Sequence, residues 1–181
     1  MILTINQCIE QDRLDLAKSY SEYQSSDIIQ KKVIANTIIK KLSSTLVAEE
    51  QVLFPFYEEY LVNGELEAKH ARKINTDIKI QLLELEKIDT IDSVYDTKLD
   101  NIINTIKIHD KNEHDTSKST FKKIIDPDTM LKLGQKYTQA KRFAPNRPHP
   151  DIDNKNIITQ QVLHALVSPI DLIKDSGKKF A

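Results

Sequence analysis

Apolar residues recur along this chain at steps of three and four, the spacing that gathers side chains on one face of a helix. Ile5, Ile9, Leu16 and Tyr20 mark a first amphipathic helix. Ser25-Ser26-Asp27 then offers short side-chain oxygens to the free amides of a second helix. That helix carries Val33, Ile34, Ile38, Ile39, Leu42 and Leu46 on its apolar face and reaches Pro55. Proline lacks an amide donor and crowds the preceding turn, so Pro55 is expected to kink or end it. Asn63-Gly64 reads as a stop, and Glu65 opens a third helix through Ile74, Ile78, Leu82 and Leu85. After the polar connector from Asp89 to Ser93, Val94, Leu99, Ile102, Ile103 and Ile106 lead a fourth helix into His109, and the polar run Asp115 to Thr120 is expected to break it.

Four long amphipathic helices with short connections bury their stripes most simply as an up-down bundle. The expected fold is therefore all-α: an up-down four-helix bundle over residues 1–125, with a C-terminal helical extension over 126–181. Within the extension, Met130 to Phe143 forms a fifth helix weakened by Gly134. The proline-rich stretch Ala144 to Pro150 is a stiff linker, because each proline biases its predecessor toward extended geometry. Ile157 to Val167 forms a short docking helix stopped by Ser168-Pro169.

Composition narrows this picture. Only three glycines and no tryptophan in 181 residues disfavour a turn-rich sheet fold. With 26 basic against 27 acidic residues the net charge is −1, so no long-range field selects nucleic acid or an anionic membrane. No apolar run is long enough to span a bilayer, and the N-terminal residues do not resemble a secretion signal. The lone Cys8 excludes an internal disulfide and suits a reducing compartment, which makes the cytoplasm the expected location. Cys8 has no evident base partner and no Gly-rich phosphate loop is present. No catalytic residues are expected, and the chain is not read as an enzyme.

The residues with candidate chemistry lie on two helices. Thr45-Leu46-Val47-Ala48-Glu49-Glu50, followed by Leu53-Phe54-Pro55, and His109-Asp110-Lys111-Asn112-Glu113 each place a carboxylate four residues after a helix-facing slot. Together with the first helix, the run Lys141 to Pro150 and Ser168-Pro169-Ile170-Asp171, this ordered combination resembles the hemerythrin-like (HHE cation-binding) family, and is most similar to fungal members with a C-terminal extension. The resemblance implies a four-helix bundle holding two irons through histidines and two bridging carboxylates. Position by position, it places Arg13, Thr45 and Asn75 where the family has histidine ligands, and keeps Glu49, His109 and Glu113. Arginine stays protonated, and Asn and Thr are weak donors, so two irons are not expected. The resemblance suggests instead that the Arg13 guanidinium stands between Glu49 and Glu113, with Thr45 and Asn75 closing a hydrogen-bond network.

The expected function is a hemerythrin-like protein with a degenerate site, free of cofactor, serving as a structural or binding module for an unknown protein or small molecule. The alternative is a metal protein in iron handling or oxygen sensing, with iron or another metal on Glu49, His109 and Glu113, aided by His114. Each residue also has a plainer reading. Glu50 is expected to be a solvated surface acid, since glutamate is rarely buried. His109 follows an isoleucine stripe, as a hydrogen-bonded core histidine does. His70 and His164 read as structural or exposed, His149 as an anchor for the linker, and Tyr57 and Tyr60 as core or docking residues.

Overall fold

A computed structural model describes residues 2–150 and 179–180, and of residues 110–124 the backbone alone. The docking helix expected from Ile157 and His164 within it lie outside the described residues. The described residues are all-helical, with no strand among them. Helix α1 (Ile5–Ser25) starts on a capping box in which Thr4 and Gln7 satisfy each other's amides. Helix α2 (Ile28–Ala48) starts on Asp27, whose carboxylate accepts from the amides of Ile29 and Gln30. Such a cap contributes about 1 kcal/mol.

Pro55 does not end the second rod. A π turn (Glu49–Leu53) precedes α3 (Phe54–Tyr60), and Pro55 sits in the first turn of α3, where a missing amide costs least. The wider turn carries the chain past the proline: the Phe54 amide reaches back to the Glu49 carbonyl. Helix α4 (Gly64–Glu86) begins at Gly64 itself, one residue ahead of the expected start. A Cβ there would lie 1.6 Å from the Tyr57 carbonyl oxygen, so only glycine permits this close α3–α4 turn. Helix α5 (Ser93–Ile124) continues through Asp115 to Thr120, contrary to the expected break. That stretch holds neither glycine nor proline, and each Ser, Thr or Asp costs a helix only a fraction of a kcal/mol, roughly 0.5. Helix α6 (Pro127–Phe143) is capped by Asp126.

Helix α1 packs on α2 and α6, α2 reaches α4 and α6, and α4 packs on α3 and α5. Two apolar clusters result. One gathers Tyr23, Ile38, Leu42, Ile78, Leu82, Tyr95, Leu99 and Ile102 from α1, α2, α4 and α5. The other gathers Ile5, Cys8, Leu53, Phe54, Tyr57, Ala71, Met130 and Tyr137. Helix α6 therefore shares a core with α1 and α3. Gly134 makes this possible: a Cβ there would lie 2.1 Å from the Leu3 carbonyl oxygen. The linker after α6 is also held, through an ion pair of 3.0 Å between Arg147 and the buried Glu86 carboxylate.

A polar cavity between two apolar cores

On each of α1, α2 and α4 the apolar stripe is interrupted at one level. Between the two clusters stand Asp12 and Arg13 on α1, Thr45 and Glu49 at the end of α2, and Asn75 on α4. Beside them are His109 on α5 and Tyr137 and Lys141 on α6. All eight line one cavity of about 390 Å³, together with the apolar side chains of Ile9, Leu16, Leu42, Leu46, Ile78 and Ile106. Five of the six positions singled out in the sequence thus converge: Arg13, Thr45, Glu49, Asn75 and His109. The side chain of Glu113, like that of His114, lies outside the described residues, and so does any pairing of Glu113 with Arg13.

The hydrogen bonds fix how these groups are used. Asn75 is fully buried, and its amide nitrogen donates to Glu49 Oε2 at 3.0 Å and more weakly to the Leu46 carbonyl at 3.5 Å. Both neighbours are acceptors, which sets the amide orientation and leaves Asn75 Oδ1 without a protein partner among the described residues. Thr45 Oγ1 donates to Asp12 Oδ2 at 3.2 Å. Asp12 is the centre of a second network: it accepts from the Tyr137 hydroxyl at 3.0 Å and forms an ion pair with Lys141. Burial, and then the Glu49 and Asp12 carboxylates, push the Tyr137 phenol well above its ordinary pKa, so it remains a neutral donor.

Burial, followed by the positive fields of His70 and Arg13, pushes His109 from 6.5 down to about 4. Its imidazole is therefore neutral at physiological pH. His70 itself is exposed on α4. Between pH 6.5 and about 4 the unfolded chain binds a proton that the folded chain refuses. Stability should be unaffected by this residue above pH 6.5 and should fall as the pH drops through that window. One pKa unit corresponds to about 1.4 kcal/mol, so the loss is on the order of 2–3 kcal/mol for a half-buried ring. Urea midpoints measured at pH 7.5, 5.5 and 4.5 for the native protein and for His109→Gln should diverge only at the lower values.

Glu50 is not a surface acid. It is 3% exposed, and both its oxygens accept from Lys79 Nζ of α4, at 2.7 and 2.6 Å; Lys79 is itself 3% exposed. Glutamate is seldom buried because desolvating its charge is costly, and here a lysine directed into the same space offsets that cost. The neighbours Glu49 and Glu50 take different partners, one in the cavity and the other Lys79, as the roughly 100° between successive helical residues allows. One signal for Lys79 was present: it stands four residues after Asn75, on the same helix face. Asp12, Tyr137 and Lys141 had none, since their meeting depends on where α6 docks.

Among the described members of the six positions, Glu49 and His109 bring groups of metal-donor type to the cavity, while the Thr45 hydroxyl is given to Asp12 and the Asn75 amide nitrogen faces Glu49. Tyr57 is buried and forms part of the second core, while Tyr60 is exposed and stacks on Phe56. His149 lies half-buried in the linker, between a buried Pro148 and a half-buried Pro150. Compared with family models, with curated proteins and with solved structures, the chain matches none.

Proposed function

We propose that this chain is a hemerythrin-like four-helix bundle of up-down topology in which the metal centre has been replaced by a charge-balanced cavity, and that it acts as a cytoplasmic, non-enzymatic binding module for a small molecule. The observation that carries this reading is the convergence of Arg13, Thr45, Glu49, Asn75 and His109 on one cavity wall, where three of the five are residues that cannot ligate or ligate poorly. Their alternative bonds support it: Thr45 and Asn75 are committed to carboxylates of the same wall. A cavity of about 390 Å³ lies within the range of small-ligand sites, and its wall joins apolar side chains to a larger set of polar and charged ones. Asn75 Oδ1 adds a buried acceptor to that wall.

Restoring imidazoles tests the reading. The purified native protein supplied with ferrous iron should carry well under one iron per chain and lack near-ultraviolet charge-transfer bands. The triple variant Arg13→His/Thr45→His/Asn75→His should gain iron, because imidazole supplies the directional nitrogen that these positions lack. Stoichiometric iron on the native chain would instead favour a metal protein built on Glu49 and His109.

A further inference from the structure

The charged groups on the cavity wall are already engaged. Asp12 is paired with Lys141, Asp15 accepts from Gln11, Lys41 donates to Ser19, and the Lys40 ammonium lies 5.1 Å from the Phe180 ring centroid. Arg13 and Lys141 balance Glu49 and Asp12 on the same wall. A ligand carrying its own charge would have to displace one of these partners or enter the protein unpaired, and both are costly. Asn75 differs. It is 0% exposed, its amide nitrogen is given to Glu49 and the Leu46 carbonyl, and its Oδ1 meets no donor among the described residues. A buried acceptor without a donor is a standing cost, which a donor brought by a ligand removes.

Resting on the binding-module reading above, we infer that the ligand is an uncharged hydroxyl compound with a compact apolar body, whose O–H donates to Asn75 Oδ1. The body contacts the apolar part of the wall, where Leu42, Leu46, Ile78 and Ile106 gain from its removal from water. The choice of donor follows from what the wall lacks. An amine would enter as an ammonium ion at neutral pH, and an amide N–H would bring a carbonyl that needs a donor of its own. A hydroxyl avoids both. Discrimination then comes from Asn75, because a molecule of the same shape without the O–H leaves the acceptor unpaired.

Phenol and toluene share a ring and differ in the donor, and benzoate adds a charge, so calorimetric titration of all three against the full chain at pH 7 separates the parts of the inference. Phenol, whose hydroxyl stays protonated at that pH, should bind about tenfold more tightly than toluene, the reverse of the order that apolar transfer alone gives. Benzoate should bind more weakly than phenol. In Asn75→Leu/Glu49→Gln, which removes the acceptor together with the carboxylate that its amide served, toluene should bind at least as well as phenol. Thr76→Ala, on the exposed face of α4, should leave the preference for phenol intact. If toluene matches phenol on the native chain, the hydroxyl assignment fails while the binding module stands. If benzoate binds more tightly than phenol, the uncharged assignment fails in the same way. If none of the three binds saturably, the inference fails, and stoichiometric iron on the same preparation would take the module reading with it.

Discussion

Lys79→Met is expected to lower the unfolding free energy by about 3–5 kcal/mol, because it leaves the Glu50 carboxylate buried without its cation. Few single substitutions cost so much, and the physical source can be isolated. Glu50 and Lys79 are each 3% exposed, so water cannot replace the lost partner without opening the contact between the π turn and α4. The double variant Glu50→Gln/Lys79→Met removes both charges, and it should recover most of the loss, since a buried ion pair contributes little net stability relative to neutral residues of similar volume. Urea unfolding of the native protein, both single variants and the double variant completes the cycle. A single-variant loss below about 1 kcal/mol would mean that the pair is solvated in solution.

Gly134→Ala should be the second large effect, with a sign opposite to helix propensity. In an exposed helix interior the change would stabilise by about 1 kcal/mol. Here the new methyl would sit 2.1 Å from the Leu3 carbonyl oxygen and 2.8 Å from the Thr4 carbonyl carbon, both backbone atoms that cannot rotate away. Either α6 lifts from α1 or the residues before α1 are displaced. The net cost is expected to be about 1–3 kcal/mol, the range for overpacking a close contact. Cys8 reports on the site directly: its thiol is buried and lies 3.7 Å from the Gly134 carbonyl oxygen. Labelling of that single cysteine by a thiol reagent under native conditions should be slow in the native protein and markedly faster in Gly134→Ala.

Much of the helical framework was legible because it rests on local signals. Asp27 caps α2 where short polar residues precede an isoleucine run, and the stripe Ile34, Ile38, Leu42 and Leu46 is buried as its spacing requires. The misread points depended on information that local spacing lacks. At Pro55 the expectation was a kink or an end, and the π turn that carries the chain past it leaves no trace in hydrophobic periodicity. Residues 115–120 looked like a break because several polar residues together resemble a connector, although each is only mildly unfavourable in a helix. The candidate site divided in the same way. Arg13, Thr45, Glu49, Asn75 and His109 entered as one set only through the family resemblance, and all five line the cavity. Asp12 and Glu50 were not legible, since the worth of a buried acid depends on a cation from another helix, Lys141 or Lys79.

The interruption of the apolar stripes at a common level also fixes how the rods can slide. One helical turn is about 5.4 Å, so shifting α4 by that step would bring Lys79 to Glu49 and Leu83 to Glu50 in one direction, or Ala71 and Asn75 in the other, and either way the buried Glu50 would lose its cation. A uniformly greasy interior would tolerate several such offsets at similar energy. In this molecule the charged stratum works as a key that admits one vertical alignment, which makes the cavity's dimensions a property of the whole assembly of rods.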